Sequence, residues 1–564
     1  MRGGDCTTIL HEQYATHIVL DGADDNQAMK NVDQIAAELQ GYDPAALPAD
    51  KVNEFLALLV GPVQQTETVA LHAALGRVLA RDIVSPISVP PHDNSAMDGF
   101  AFAGADLKTN GASRFKVVGT ALAGMAWQGS VGPGECVKIM TGAIMPSGLD
   151  TVVPQELCTL VNSEQVKRAV VQDAQDAVVQ GVQDVQDVQD VQGAQGVQRA
   201  QGAPLQPAQS HIDIPAGLLK PGDNRRLLGE DLLQGAPALL GGDMLSPAAL
   251  GLLASLNIGE VSVWRKLKVA YFSTGDEVLS LGDAPREGAI YDSNRYTVHG
   301  MLTRLGVDVI DMGVVGDDPA LLEAAFRSAA AQADAIITSG GVSVGEADHT
   351  KAMMRKLGGE GNDDASSNNA QGSNAQGDNA GGGVAFWRIA MRPGRPMAVG
   401  RIAAARKTQD DVPNPKTGPS FPKNTSETAV AGRSTCSSSY EINSSILFGL
   451  PGNPVAVMVT MLAFVRPALL RMMGANPDKY CAAPLYLPAH SSEPLRKKPG
   501  RTEYQRGLVS RAANGQLQVK TTGNQGSGVL SSMVQANGLI VLHHNQGNVA
   551  AGDVVDVLMF DGAM

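Results

Sequence analysis

The middle of the chain, residues 265–474, alternates short apolar segments with helix-like segments, and this alternation constrains the fold more than any other feature. Such a pattern is typical of a doubly wound, mostly parallel sheet with helices on both faces. We expect Ser293 or Asn294 to cap one helix, which Gly306 ends, and we expect further helices to begin at Pro319 and after Asn453. The predicted strands are Leu267–Phe272, Val307–Val315, Asp334–Thr338 and Ile446–Phe448.

The regions around this α/β domain predict further modules. Residues 86–162 combine strand-like runs with glycine and proline, which indicates a β-rich domain. Asn514-Gly515 lies between alternating runs and predicts a hairpin. The fold class is therefore α/β multidomain, with β-rich N-terminal modules and a β C-terminal domain. The expected boundaries are 1–44 for a poorly ordered extension, 45–85 with 208–264 for an elongated linker domain, 86–162, 265–474, and 475–564.

Three segments have the composition of solvated inserts: 163–207, 358–383 and 404–443. The first repeats Val-Gln-Asp triplets, and a period of three presents no consistent face to a core in either a helix or a strand. The other two are rich in small and polar residues. We expect all three to loop out of the folded domains.

The charge balance excludes some classes of partner. The chain of 564 residues has 44 Lys+Arg against 57 Asp+Glu, a net charge of −13, so we expect no nucleic-acid or membrane-binding face. Its five cysteines are scattered without metal-ligand spacing. No apolar run reaches the length of about 18 residues that a membrane helix needs. These features favour a soluble, cytoplasmic protein.

Glycine-containing turns follow three of the predicted strands, and each leads towards a helix. In an open α/β sheet such turns meet at the carboxyl edge, where free amides bind phosphate. Asp276, Asp292 and Asp348 add oxygen ligands suited to Mg²⁺. Each motif alone could be an ordinary turn or cap, so the residues indicate only a phosphate-bearing ligand with Mg²⁺. The turns are Ser273–Glu277, Thr338–Asp348 and Gly449–Pro454.

Two arginine clusters could hold an oxyanion. Arg392-Pro393-Gly394-Arg395-Pro396 places two guanidinium groups on a proline-braced turn, and Arg501 and Arg506 lie in the C-terminal domain. Guanidinium groups bind tetrahedral oxyanions through forked donors. A solvated surface is the alternative for either cluster.

The segment Pro91–Ala101, with Ser95-Ala96-Met97-Asp98-Gly99 at its centre, resembles the hallmark of the molybdopterin molybdenumtransferases, the family that includes the E domain of gephyrin. Further blocks follow in the family's order, and the resemblance covers about 45–564 apart from the inserts. The family usually has Lys-Pro-Gly-Lys-Pro where this chain has arginines, which keeps the charge and changes the donors. The further blocks include Lys138–Ala143, Gly229-Glu230-Asp231, Asp292-Ser293-Asn294, Gly340–Glu346, Gly449–Pro454, Gly500-Arg501 and Gly526-Ser527-Gly528.

The resemblance implies an enzyme that takes adenylylated molybdopterin and molybdate, hydrolyses the adenylate in a Mg²⁺-dependent step and releases AMP. It implies a homodimer in which Asp98, Thr141 and Glu230 face the partner's cleft. The catalytic candidates are Asp98, Thr141, Glu230, Asp276 and Asp334. The metal candidates are Asp276, Asp292 and Asp348. The substrate-binding candidates are Ser273, Thr274, Gly275, Ser293, Asn294, Gly340, Gly341, Ser343, Gly345, Lys351, Arg392, Pro393, Arg395, Pro396, Pro451, Gly452, Asn453, Arg501 and Ser527.

Two other functions remain open at this stage. One is a molybdopterin adenylyltransferase, although that family is essentially the α/β domain alone. The other is a gephyrin-like scaffold that clusters receptors. Molybdopterin adenylyltransferase and molybdoenzyme maturation factors are the expected protein partners.

Overall fold

The computed structural model describes residues 30–161, 211–342, 349–359, 383–403, 444–481 and 484–560. Its central element is a six-stranded sheet in which Pro396–Ala403 alone runs antiparallel to the other strands. The expectation of a mostly parallel α/β sheet is therefore confirmed. The strands, in spatial order, are Asp308–Val315, Lys268–Thr274, Ala335–Ser339, Ser444–Leu450, Pro396–Ala403 and Val384–Arg388.

Helices cover both faces of this sheet. Along the strand Lys268–Thr274, Val269 and Tyr271 pack on one face, and Ala270 and Phe272 pack on the other, as the two-residue repeat of a strand requires. Both faces are apolar because both lie under helices. The first face packs against Ser293–Leu305, Ala49–Leu59 and Pro454–Thr460, and the second against Pro319–Gln332 and His349–Gly359.

Both ends of the helix that follows Asp292 are capped. The helix Ser293–Leu305 ends at Gly306, which adopts a left-handed φ of 86°, as expected. Its N-cap is Asp292, one residue earlier than the sequence indicated, and the carboxylate accepts from the Arg295 amide. An aspartate is as good a cap as the serine or asparagine that follows it, so the pattern alone could not place this terminus.

Pro454–Met472 is long and apolar enough by composition to cross a membrane, but 72% of its most apolar stretch is buried inside the protein. It consists of Pro454–Thr460, a π-helical turn at Met461–Val465, and Arg466–Met472. The π turn lies just before Pro467, which has no amide hydrogen to donate. The extent of its burial is typical of a helix in the core of a folded domain.

Residues 30–63 differ from the sequence-based expectation. Within the segment expected to be a disordered extension, Asn31 and Gln34 form a capping box that starts the helix Val32–Glu38. The Trp387 indole donates to the Tyr42 hydroxyl at 2.9 Å, and the Phe55 ring lies 4.8 Å from that of Trp387. This segment therefore packs on the α/β domain. The helix is too short to produce a periodic signal in the sequence.

The linker module consists of short antiparallel pairs and one helix, Pro247–Ser255. Ser246 caps this helix with its side chain. The module has its own apolar core, which includes Leu79, Leu245 and Leu253. Its strand pairs are Thr66–Ala70 with Glu260–Trp264, Ile83–Val84 with Pro237–Leu239, and Asn94–Ser95 with Arg225–Arg226.

The β-rich module is a six-stranded sheet. It includes His211–Ile214, which the sequence had placed in the linker domain, because this strand pairs with Ser113–Lys116 on one side and with Thr159–Val161 on the other. Short helical turns lie at Gly104–Asp106 and Gln155–Leu157. The strand order is Thr151–Pro154, Gly99–Phe102, Glu135–Ile139, Ser113–Ala121, His211–Ile214 and Thr159–Val161.

The C-terminal module is a closed β-barrel, because the strand Thr502–Arg511 pairs with both Leu517–Thr521 and Gly538–Leu542. Gly515, with a φ of 86°, forms the turn predicted at Asn514-Gly515. The short strand Met391–Arg392 of the α/β domain pairs with Thr502 and Glu503 and holds the barrel beside the arginine turn. The barrel strands, in spatial order, are Thr502–Arg511, Leu517–Thr521, Leu487–Ser491, Val554–Met559 and Gly538–Leu542.

The described residues that flank each predicted insert are neighbours in space. Val161 pairs with His211, Ala403 pairs with Ser444, and the Gly383 amide donates to the Gly358 carbonyl at 2.9 Å. The chain therefore leaves and re-enters the fold at the same place each time.

Replacing residues 404–443 by Asn-Gly should preserve the fold, because Ala403 and Ser444 are already cross-strand partners. Shortening the closed loop should also stabilise the protein by roughly 2–3 kcal/mol. Urea unfolding of the purified variant measures this change. Aggregation of the variant, or a lower unfolding midpoint, would show that the segment contributes to folding.

Candidate functional site

A cavity of about 880 Å³ lies at the carboxyl edge of the parallel strands. Its floor is formed by the ends of Lys268–Thr274 and Ala335–Ser339, and its walls by the loops that follow the strands. Val278–Leu279 and Ile290–Tyr291 pair to form one of these walls. Of the substrate-binding candidates, those that line it are Ser273, Thr274, Ser293, Asn294, Gly340, Gly341, Arg392, Pro393, Arg395, Pro396, Pro451, Gly452, Asn453 and Ser527.

Three hydroxyl groups are linked beneath the floor of the cavity. The Tyr271 hydroxyl lies 2.9 Å from Ser273 Oγ and 2.7 Å from Ser339 Oγ, and the two serine oxygens lie 3.2 Å apart. The tyrosine is buried in the core, while both serines line the cavity.

Gly340 cannot carry a side chain at its place on the floor. Its φ is 93°, and a Cβ atom there would lie 2.7 Å from the Thr274 carbonyl oxygen. The missing side chain leaves backbone open to a ligand at this point.

Two residues at the start of the helix Ser293–Leu305 line the cavity and carry buried oxygen acceptors. Asp292 is buried; its Oδ1 accepts from the Arg295 amide at 3.0 Å, and its Oδ2 has no hydrogen-bond partner among the described residues. Asn294 donates to the Gly452 carbonyl at 2.7 Å, and its side-chain oxygen likewise has no described partner. Buried acceptors without partners are rare, so these two oxygens indicate a ligand donor or a cation.

The arginine turn supplies positive charge to the cavity lining. Arg392 and Arg395 both line the cavity, and neither forms a salt bridge with any residue that the structure describes. Gly394 has a φ of 92°, and a Cβ there would lie 2.7 Å from Thr460 Oγ1, so the turn packs closely on the helix behind it. The backbone of the turn is therefore fixed, and its two exposed arginines lie where an anion in the cavity can reach them.

The barrel contributes a loop to the cavity, and Arg506 holds that loop. Its Nη2 donates to the Gly526 carbonyl at 2.9 Å and to the Asn524 carbonyl at 3.2 Å. Burial, with a contribution from nearby Arg392, lowers the pKa of Arg506 to about 10. The held loop presents Gln525 and Ser527 to the cavity.

Asp334, a predicted catalytic residue, lies at the opposite edge of the sheet. It precedes the strand Ala335–Ser339, and its carboxylate forms a bidentate salt bridge with Arg265 at 2.6 and 2.7 Å. It also accepts from the Lys268 amide at 2.9 Å. Asp334 therefore joins two strands at their amino ends, and its assignment to the site was wrong.

Other candidates also lie outside the cavity lining. Asp276 is exposed and accepts from the Asp317 amide, and the adjacent Gly275 is not in the lining. The Lys351 ammonium lies 5.0 Å from the Phe386 ring. Arg501 forms a salt bridge with Glu503 at 2.7 Å. Ser343, Gly345 and Asp348 lie outside the described residues.

Asp98, Thr141 and Glu230 belong to the other modules. Asp98 Oδ1 accepts from the Thr141 amide at 2.7 Å and from its hydroxyl at 2.8 Å, and these bonds lower the pKa of the carboxyl. Glu230 accepts from the Leu227 amide within a turn. Within one chain, none of the three lines the cavity.

The cavity lining also contains residues that were not among the individual site candidates, although Glu277 and Ser339 belong to the turns predicted from the sequence. They include Glu277, Tyr291, Ser339, Gln525 and Leu530. Four of these lie within two positions of a selected residue, so widening each motif by one or two positions would have included Glu277, Tyr291, Ser339 and Gln525.

Family comparisons agree with this architecture. Residues 47–257 match the MoeA N-terminal region (domains I and II), residues 270–368 match a probable molybdopterin binding domain, and residues 488–560 match the MoeA C-terminal region (domain IV). A molybdopterin molybdenumtransferase of Haemophilus influenzae is 34% identical over 88% of this chain and 94% of its own length. The chain belongs to the molybdopterin molybdenumtransferase family.

More distant relatives extend the comparison. The molybdopterin molybdenumtransferase of Nostoc is 28% identical over 92% of this chain and 95% of its own length, and that of Bacillus subtilis is 28% identical over 88% and 90%. A crystal structure of the molybdopterin biosynthesis MoeA protein of Pyrococcus horikoshii has a TM-score of 0.57 at 20% identity, covering 91% of this chain and all of that one. The structural likeness supports the fold.

Asp334→Ala should lower the free energy of unfolding by about 3 kcal/mol, because it removes a buried carboxylate that forms a bidentate salt bridge with the partly buried Arg265. Urea unfolding measures the loss. Asp276→Ala, which removes an exposed carboxylate, is the control and should lower the free energy of unfolding by a clearly smaller amount. Equal stability of the two variants would contradict the structural role of Asp334.

Proposed function

We propose that this protein inserts molybdenum from molybdate into adenylylated molybdopterin, with hydrolysis of the adenylate and release of AMP. The observation that carries the proposal is the cavity at the carboxyl edge, where glycine turns and a helix start face two arginines without carboxylate partners among the described residues. The substrates are both anions, and a chain with a net charge of −13 needs such a local concentration of positive charge to bind them together.

Two groups of residues in the cavity lining suit different parts of the reaction. Backbone at Gly340 and Gly452 leaves room for phosphate groups near the start of the helix Ser293–Leu305, whose dipole favours negative charge. Arg392 and Arg395 offer forked donors that match a tetrahedral oxyanion such as molybdate. Holding both reactants in one cavity makes the transfer of molybdenum effectively intramolecular.

The acceptors at the helix start fit Mg²⁺. Asp292 Oδ2 and the side-chain oxygen of Asn294 are buried without described partners, and carboxylate and amide oxygens are ligands that Mg²⁺ accepts. The described residues contain no cluster of three acidic, histidine or cysteine side chains, so phosphate oxygens and water would complete the shell. Bound there, Mg²⁺ would offset the charge that develops on the phosphate bridge.

The full site requires a second copy of the chain in this proposal. Asp98, Thr141 and Glu230 line no part of the cavity of their own chain, although the family motifs include all three. In a homodimer they would face the partner's cavity, where the carboxylate of Asp98, kept ionised by its bonds to Thr141, could orient water. Asp276 and Asp348 remain additional candidates for Mg²⁺ binding.

The alternatives are distinguishable by one assay. Incubation with adenylylated molybdopterin, Mg²⁺ and molybdate should release AMP, and chromatography measures it. ATP-dependent formation of the adenylate would instead indicate an adenylyltransferase, and the absence of both reactions would indicate a scaffold. A cytoplasmic location and contacts with the adenylyltransferase that supplies the substrate are part of the same proposal.

Asp292→Asn should raise the Mg²⁺ concentration needed for half-maximal AMP release by at least roughly tenfold. Asparagine caps a helix as well as aspartate does, so the helix Ser293–Leu305 should stay intact while the charge is lost. Titration of AMP release with MgCl₂ is the measurement.

Asp318→Asn is the matched control, because Asp318 caps the helix Pro319–Gln332 and lies outside the cavity lining. Its Mg²⁺ dependence should equal that of the parent protein. If the two variants respond alike, Asp292 does not bind the metal.

A further inference from the structure

The hydroxyl groups of Tyr271, Ser273 and Ser339 form one hydrogen-bonded triangle. Tyr271 and Ser273 are two residues apart on one strand and share a face, and Ser273 is the register partner of Ser339 on the neighbouring strand. The triangle is therefore fixed by backbone pairing of the parallel sheet. All three residues are at most 2% exposed.

The tyrosine provides a hydroxyl that the core does not require for packing. Its ring lies in the apolar cluster on one face of the sheet, where a phenylalanine ring would pack equally well. The described partners of its hydroxyl are the two serines of the cavity floor. Burial raises the pKa of this phenol, so it stays protonated and can donate.

The number of hydroxyl hydrogens in the triangle indicates how the phenol of Tyr271 affects the two serines. The triangle has three O–H groups, and each oxygen can also accept. If Tyr271 donates to one serine and accepts from the other, the serine that receives the phenol hydrogen can direct its own hydrogen either to the other serine, 3.2 Å away, or to a partner outside the triangle. That partner lies on the cavity side, because both serines line the cavity. Without the phenol, the serines retain only their mutual contact of 3.2 Å.

We infer that Tyr271 is a positioning residue that orients Ser273 and Ser339 so that one serine hydroxyl donates to an oxygen of a tetrahedral oxyanion bound in the cavity. The oxyanion is the phosphate of the nucleotide or molybdate itself, which share this geometry. The inference rests on the proposed function, since it assigns donors to the same anion site. It adds to the arginines a neutral donor that comes from the sheet.

The test is Tyr271→Phe. Two quantities are measured: the dissociation constant of AMP, by calorimetry, and the KM for molybdate in the AMP-release assay. One of the two should rise about five- to tenfold, as expected when a hydrogen bond to a charged group is weakened. A change in AMP binding alone assigns the donor to the nucleotide phosphate, and a change in the molybdate KM alone assigns it to molybdate.

Tyr42→Phe is the matched control. It also removes one tyrosine hydroxyl with a single described hydrogen bond, from Trp387, and it lies outside the cavity lining. Both of its constants should stay within twofold of the parent values. If Tyr271→Phe behaves in the same way, the inference is overturned.

A double-mutant cycle separates positioning from a general loss of stability. In a background that carries both Ser273→Ala and Ser339→Ala, Tyr271→Phe should have no further effect on either constant, because the donors that it orients are gone. An equal effect in both backgrounds would refute the triangle as the cause. AMP binding is measurable even in a protein that fails to transfer molybdenum, so failure of this inference is distinguishable from failure of the proposed function.

Discussion

Burial of both faces of the parallel sheet determines where chemistry can take place in this protein. With Val269 and Tyr271 covered on one side and Ala270 and Phe272 on the other, neither face of the sheet can hold a ligand. Only the strand ends remain open, and at the carboxyl end the chain must turn into a helix. The glycines, the free helix start and the serine hydroxyls of the cavity all follow from this requirement.

The electrostatics of the cavity come from the contact between two modules. The arginine turn belongs to the α/β domain, but Met391–Arg392 pairs with the barrel strand that carries Arg506. Arg506 is buried and satisfies its donors with carbonyl groups and Ser532, and its charge adds to that of Arg392. Separating the barrel from the α/β domain would therefore remove both a wall of the cavity and part of its positive potential. This explains how an acidic chain can bind two anions.

The sequence predicted the position of the cavity better than the roles of its carboxylates. Strand ends can be located from apolar runs and glycines, and Ser273, Gly340 and Asn453 do lie together in the cavity lining at those ends. The catalytic assignment of Asp334 was wrong because the sequence does not distinguish a carboxylate at the amino end of a strand from one at the carboxyl end. Its partner Arg265 is also distant along the chain. The strand His211–Ile214 and the helix Val32–Glu38 were missed because long-range pairing and a local capping box, respectively, define them.

The two inserts of the α/β domain are attached at the edge of the sheet that lies away from the cavity. Ser444 begins the strand Ser444–Leu450, and Val384, next to Gly383, begins Val384–Arg388. Both strands run in the same direction as the strands that end at the cavity, so both inserts of the α/β domain are attached at the amino edge. Loop-closure entropy makes long insertions inexpensive where the ends are already paired. At the carboxyl edge the same insertions would separate the cavity turns from one another, whereas at the amino edge they leave the geometry of those turns unchanged.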